Sequence, residues 1–502
     1  MVNSFHESSW RSSGEMTHEG RLGVIDIGSN SVRLVVYDAI KRTPLPLFNE
    51  KIFCGLGKGL AITGKLNPEG VKLAEGCIKR FLALVHIMDV VELQIIATAA
   101  VRDASDGAEF VENLERKFRI NITVISGKKE AQLAASGIFS SIYKPEGLAG
   151  DLGGGSIELI SLQQGGLANQ TTIPIGPLRI IDNSKGDKTK MAKIINDALD
   201  NEKWLPQTKY QHFFAIGGSF RAIARIQMAR EKYPLEIVHH YSIKNAPMRK
   251  LLKEIINSTP QQLEKMPGVP SKRVESLIPA ALVLERILDI INPEDVIFSS
   301  YGIREGYLFE KLSPYLRNED PLIASCTDLA NQNGRVPGYA RELFNWMTPI
   351  FEKESEIQKR LRFAACILSE VAWRIHPEYS AGWAFSRIIQ SNLIGLSHSE
   401  RVTLALVLFH RHQYKLKNIS PIMGLLGDNE KNWARLIGTL SNLAFLLSGA
   451  MSGNLENVPI SASKNKLSID FIGEAKDLRS DAIDKKIENA GDSFKQYMKH
   501  AK

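Results

Sequence analysis

Residues 150–159 read GDLGGGSIEL, and three consecutive glycines stand between two runs that otherwise have strand character. Glycine inside a strand gives up side-chain packing, so Gly153, Gly154 and Gly155 mark a tight turn whose purpose a side chain would defeat. Backbone N–H groups in such a turn can close on a bound anion with no Cβ in the way, and positive φ is open to them. Successive N–H groups then form a concave nest suited to phosphate oxygens. Ser156 adds a hydroxyl donor. Asp151, ending the leading strand, would repel phosphate unless a cation stood between them. Magnesium suits a carboxylate together with phosphate oxygens and keeps several waters.

The device occurs twice. Residues 26–34, DIGSNSVRL, lie over residues 151–159, DLGGGSIEL, with Asp26 on Asp151, Gly28 on Gly153, Ser31 on Ser156 and Leu34 on Leu159. Both read as strand, turn, strand. A duplication of this kind predicts two similar lobes facing one another, with a polyanion gripped from both sides. Arg33 falls on the same position as Glu158. Opposite charges on equivalent strands suggest a division of labour, phosphate on one side and metal on the other; a solvent-facing arginine is the plain alternative.

Around these hairpins, strands alternate with helices, which argues for an α/β domain. Residues 67–88 carry Val71, Leu73, Ala74, Ile78 and Phe81 at helical spacing. Residues 93–104 read as a strand leading into a polar turn, and residues 122–139 as a strand followed by a helix opening near Ser126. Glu130 then lies in the first turn of that helix, where the positive helix end favours an ionised carboxylate. Arg102 follows a strand end, a usual place for functional side chains in α/β folds. Arg304 and Glu305, after the strand pattern DVIF, suit an ion pair as well as a site. Beyond about residue 318 helical patterns dominate, including 357–375 and 401–416, and KLSIDF at 466–471 reads as a strand. The expected division is a flexible lead-in over 1–20, lobes over 21–140 and 141–315, a helical domain over 316–450 and a small α+β domain over 451–502.

Composition narrows the partners. A net charge of +8 and a pI of about 9.1 favour an acidic one. The four cysteines, Cys54, Cys77, Cys326 and Cys366, form no CxxC pair and suggest a reducing, cytoplasmic compartment. Residues 1–20 lack the layout of a secretory signal. No apolar run reaches the about 18 residues of a membrane span; the best, 437–450, reads as a core helix. GLAITGKL at 59–66 approaches a phosphate-binding P-loop but has Leu66 where the magnesium-binding hydroxyl belongs.

The paired hairpins resemble those of the actin-like superfamily, which includes sugar kinases and heat-shock ATPases. Within it, the wording is similar to the exopolyphosphatase and guanosine-pentaphosphate phosphatase family. ATAAVRDA (97–104), VISGKKEAQLAASGI (124–138), IPIGPLRI (173–180), AIGGSFRAIA (215–224) and SSYGIREGYL (299–308) follow in family order across about 21–310. The resemblance implies two actin-like, ribonuclease H-like lobes with a cleft between them, in a homodimer. It implies magnesium-dependent hydrolysis of the terminal phosphoanhydride of inorganic polyphosphate, with a monovalent cation such as potassium as a possible companion ion. Guanosine pentaphosphate or another nucleotide is the alternative substrate, and no specific nucleic-acid partner is implied. Glu130 would be the base that directs water. Asp151 and Glu158 would hold the metal, with Asp26 as a facing carboxylate. Asn30, Ser31, Gly153, Gly154, Gly155 and Ser156 would bind phosphate oxygens, Arg33 and Arg102 would neutralise the chain, and Gly217 and Gly218 would line the distal pocket. The C-terminal helices, with His376, His398, His410 and His412, resemble a His-Asp phosphohydrolase domain made degenerate by Ser369-Glu370 in the dyad position. Packing histidines, or a surface that grips polyanion, are the better readings of that half; the basic stretches 411–418 and 484–502 read as solvated faces, with an extended track for a long anion as the alternative. Two rivals from other classes are an ATP-dependent kinase on the same fold and a non-catalytic polyphosphate or nucleotide sensor.

Overall fold

The structure, a computed structural model, describes residues 20–163, 166–333, 338–413, 421–463 and 466–500. The lead-in over 1–19 and most of the basic stretch 411–418 lie outside the described residues. The chain divides into two compact units, Met1–Asn318 and Glu319–Lys502.

The first unit is built on two sheets. One contains β1 (Arg21–Ile27), β2 (Ser31–Tyr37), β3 (Pro46–Phe53), β4 (Val90–Ala97) and β5 (Thr123–Val124), in the order β3-β2-β1-β4-β5. The other contains β6 (Gly147–Leu152), β7 (Ile157–Gln163), β8 (Gly166–Ile173), β9 (His212–Ile216), β10 (Ser242–Lys244) and β11 (Asp295–Phe298), in the order β10-β11-β9-β6-β7-β8. The second order repeats the first, β8-β7-β6-β9-β11 matching β3-β2-β1-β4-β5, with β10 added at the edge. In each sheet the hairpin strands are antiparallel and the next strand joins in parallel. The duplicated sequence device is therefore a duplicated fold.

Strands covered on both faces read as continuous apolar runs, and β1 shows it. Ile25 and Ile27 pack with Val32, Leu34, Ile78 and Phe81 on one face, while Leu22 and Val24 join Val35, Tyr37 and Leu308 on the other. The helix Pro68–Ile87 starts where predicted, capped by Asn67, whose side chain accepts from Glu69 and Gly70 N–H. The polar turn expected after β4 is instead a short helix, Ala99–Asp103: Ala99, Ala100 and Val101 are buried there, and apolar packing overrides the turn.

Two helices set the site. Gly127–Ser141 is capped by the Ser126 hydroxyl, which accepts from Lys129 N–H at 3.2 Å. It lies against Ile303–Lys311 with no side chain between: a Cβ on Gly306 would fall 1.8 Å from the Leu133 carbonyl oxygen, and one on Gly137 would fall 2.4 Å from that of Gly302. Glu130 and Arg304 ride on these locked helices.

The second unit is mainly helical, with Pro321–Asn333, Tyr339–Met347, Glu356–Ile367, Pro377–Gln390, His398–His412, Asp428–Ser448 and Asp481–His500, plus a hairpin of β12 (Ile460–Ser463) and β13 (Lys466–Ile469). The helix expected over 357–375 ends at Ile367; beyond it the chain turns and directs Glu370 inward to Arg411, at 2.8 Å. Arg411 also stacks over the Phe445 ring at 4.2 Å. Among the described residues no group of three or more His, Cys, Asp or Glu side chains is arranged to hold a metal. His376 instead caps the Pro377–Gln390 helix, and His410 is buried. The apolar run 437–450 lies mostly in the buried Asp428–Ser448 helix, and no described helix is long and apolar enough to cross a membrane.

Candidate active site

The two hairpins close with the same bond: Gly28 N–H donates to the Ser31 carbonyl at 3.0 Å, and Gly153 N–H to that of Ser156 at 3.0 Å. Strand register places Asp26 opposite Arg33 and Asp151 opposite Glu158. The tips touch. A Cβ on Gly154 would lie 2.9 Å from Ser29 Cβ, and one on Gly155 would lie 3.2 Å from Ser29 Oγ. From behind, Leu178 N–H donates to the Gly154 carbonyl at 3.0 Å. Here the sequence reading needs correction. None of Gly28, Gly153, Gly154 and Gly155 has positive φ, and the glycines at the tip serve close approach instead, squeezed between Ser29 and the 176–178 segment.

Asn30 is fixed through its carbonyl, which accepts from Cys54 and Gly55 N–H, both at 3.1 Å. The Asn30 and Ser31 side chains are half-buried and make no side-chain hydrogen bond among the described residues. The Ser156 hydroxyl is already committed, donating to Glu158 Oε1 at 2.7 Å.

Glu130 is buried, 4% exposed, and accepts from Arg102 Nη1 at 2.8 Å. Arg102 is held in turn by the Ile125 carbonyl at 3.1 Å and by Asp103 at 3.3 Å. Burial raises the Glu130 carboxyl to about 7; Arg102 opposes this, and Asp151 and Asp26 add repulsion. The helix start therefore does not hold Glu130 in the ordinary carboxylate range, because desolvation outweighs it. Asp151 is raised to about 6, by burial first, against the pull of Arg221 and Arg304. Glu158 rises further, through burial and then the charges of Glu130 and Asp151. Asp26, Glu130, Asp151 and Glu158 therefore stand near enough for their charges to act on one another. Neither Asp151 nor Glu158 has an ion-pair partner among the described residues.

Gly217, at φ +106°, lets the start of the Gly218–Arg230 helix approach β6; a Cβ there would lie 2.4 Å from the Leu152 carbonyl. The space beside Gly218 is taken by Arg273, whose Nη2 lies 2.3 Å from where a Cβ would be.

Sequence reasoning missed a cationic zone beside the acidic one. Lys51 stands opposite Arg33 in the β2–β3 register, an arrangement of like charges that destabilises a sheet. Arg221 and Arg273 join them from the other lobe. Burial, followed by Arg273, Arg221 and Arg33, lowers Lys51 to about 7. Burial, followed by Arg304 and Arg33, lowers Arg221 to about 10. Lys51, Lys272 and Arg273 all lie over the Phe53 ring, at 5.0, 5.2 and 5.5 Å. Among the described residues Arg33 has only Asn49 as a side-chain partner, at 2.8 Å, and Arg221 only the Ser299 carbonyl, at 3.1 Å. Arg221 was within reach of sequence reasoning, one helical turn after Gly218; Lys51 required the β2–β3 pairing.

Twin sheets of the same topology, meeting at paired Asp-Gly-Ser hairpins near buried carboxylates, define a fold of two actin-like lobes. The Ppx/GppA phosphatase family matches over residues 35–314, and the exopolyphosphatase C-terminal family over 322–491. The chain belongs to the Ppx/GppA phosphatase family. It is similar to a bifunctional 3-dehydroquinate synthase/phosphatase from Fusobacterium nucleatum, 26% identical over 57% of this chain, a match spanning only 46% of that relative. It is 25% identical to exopolyphosphatase 1 of Mycobacterium tuberculosis over 58% of this chain and 88% of the relative. It is 21% identical to a guanosine-5'-triphosphate,3'-diphosphate pyrophosphatase of Aeromonas salmonicida over 82% of this chain and 85% of the relative. A crystal structure of an exopolyphosphatase from Cytophaga hutchinsonii shares the fold, with a TM-score of 0.54 at 24% identity over 58% of this chain and 99% of that one.

Proposed function

We propose that this chain is an exopolyphosphatase, a divalent-metal-dependent hydrolase with magnesium as the metal, releasing orthophosphate from the end of inorganic polyphosphate. One observation carries the reading: among the described residues two buried carboxylates that form no ion pair, Asp151 and Glu158, adjoin four cations that form none with a carboxylate, Arg33, Lys51, Arg221 and Arg273. A metal-bound polyphosphate satisfies both groups at once. The residues fit a dication, which needs only one or two carboxylates when phosphate oxygens and water complete its shell. Bound there, the metal supplies charge neutralisation and Lewis-acid polarisation of a phosphoryl oxygen.

The rest is positioning, as phosphoryl transfer requires. The hairpin turns, with Asn30 and Ser31, seat the terminal phosphate. Arg33, Lys51, Arg221, Arg273 and the helix start at Gly217 and Gly218 carry the phosphates behind it. Glu130, aimed by Arg102, accepts the proton of the attacking water. The scattered spacing of the four cysteines in the sequence supports placing this activity in a reducing cytoplasm.

Guanosine pentaphosphate is the second reading, favoured by the Aeromonas salmonicida relative, which matches across both units. Long polyphosphate incubated with the protein and magnesium should lose orthophosphate one unit at a time, and guanosine pentaphosphate should compete poorly. Preferential turnover of guanosine pentaphosphate reverses the order of the two readings. Transfer of phosphate to ADP, or binding without turnover, rejects both.

A further inference from the structure

The two hairpins share a turn and a sequence pattern but differ in their electrostatic state. In the second, Asp151 and Glu158 face each other, buried and with no ion pair to either among the described residues. In the first, the Asp26 carboxylate is already taken: Arg304 Nη1 donates to its Oδ2 at 3.0 Å. Arg304 is itself enclosed, its side chain 11% exposed. Glu305 Oε1 stands 3.8 Å from Arg304 Nε. Glu305 is anchored by Tyr37 Oη, donating at 2.8 Å, and by Gly302 N–H, donating at 2.9 Å. The helix that carries both residues is locked against the Glu130 helix by Gly137 and Gly306. Releasing Asp26 to a metal would leave the enclosed Arg304 guanidinium with only its longer, 3.8 Å pairing to Glu305, which is costly.

We propose that Arg304 is a built-in counter-ion for Asp26, withholding that carboxylate from the metal, so that one dication binds per chain, through Asp151 and Glu158 alone. The inference rests on the metal-dependent reading above and departs from the three-carboxylate set that the resemblance implies. An arginine stays charged at every working pH, so the first hairpin is neutralised before substrate arrives. Arg304 acts through Asp26 and is a positioning residue.

The test is a titration of the full chain with Mn²⁺ alone, free Mn²⁺ being read by electron paramagnetic resonance. The wild type and Asp26→Asn should each bind one Mn²⁺ with closely similar affinity. Glu158→Gln should bind at least about tenfold more weakly, as loss of a ligand requires. Arg304→Gln should gain a second site, which Arg304→Lys does not show and which the double variant Arg304→Gln/Asp26→Asn loses. Two sites in the wild type, an about tenfold loss in Asp26→Asn, or a single site in Arg304→Gln overturns the proposal. Should Arg304→Gln fail to fold by circular dichroism, the comparison of wild type with Asp26→Asn decides alone. A chain that binds one Mn²⁺ in this pattern but hydrolyses no polyphosphate refutes the proposed function and leaves the role of Arg304 standing. An active enzyme with two sites does the reverse.

Discussion

Replacing Arg102 by glutamine removes the one charged group that, among the described residues, bonds to the buried Glu130 carboxylate, at 2.8 Å. Glu130 acts as a base only when ionised, so activity should rise with pH as its proton is lost, at about 7 in the metal-free chain. Arg102 holds that value down against burial. A hydrogen bond to a charged group contributes about 1.5–3 kcal/mol, and about 1.4 kcal/mol corresponds to one pH unit. Arg102→Gln should therefore move the acidic limb of kcat toward alkaline pH by about one to two units. At pH 7 kcat should fall roughly 5- to 50-fold, and about half or more of it should return near pH 9. The assay is orthophosphate release from saturating polyphosphate across pH 5.5–9.5. A uniform loss of kcat with an unmoved limb would mean that Arg102 does not govern the ionisation of Glu130.

Other outcomes follow from the same geometry. Lys51 loses its proton as pH rises past about 7, so KM for polyphosphate should climb between pH 7 and 9; Lys51→Met should raise KM roughly tenfold or more, flatten that climb and leave kcat little changed. Gly154→Ala should cost about 1–3 kcal/mol in urea unfolding through overpacking, because its Cβ would lie 2.9 Å from Ser29 Cβ; Ser29→Gly in the same chain should recover most of the loss. Asp151 has its folded value raised to about 6, so the stability it contributes is fully present below its unfolded value and is lost as pH rises through 6. Magnesium should accordingly raise the melting temperature at pH 8 by several degrees more than at pH 5, and equal increments would show that Asp151 is not a ligand.

The sequence made the site's skeleton legible wherever the signal was local. Asp, Gly and Ser in one register at 26–31 and 151–156 sufficed for the duplicated hairpins, and Ser126 marked the start of the helix that brings Glu130 to them. What escaped depended on tertiary neighbours. Lys51 faces Arg33 only because β3 pairs with β2, and Arg273 reaches the space beside Gly218 from a distant stretch of the same lobe. Local logic misread two features. The turn glycines suggested positive φ, yet the demand at the tip is the approach of Ser29; the helix start suggested an ionised Glu130, yet burial dominates. Arg304 was visible as half of an ion pair with Glu305, but its bond to Asp26 spans 278 residues and lies beyond any local pattern.

The central claim is that hairpins from opposite lobes hold a terminal phosphate in front of Glu130. Its most direct test is Glu130→Gln, assayed for both binding and turnover of long polyphosphate. The account predicts that binding is retained while orthophosphate release drops by about 10²–10⁴, the usual contribution of a positioned base. Turnover at the wild-type rate would contradict it.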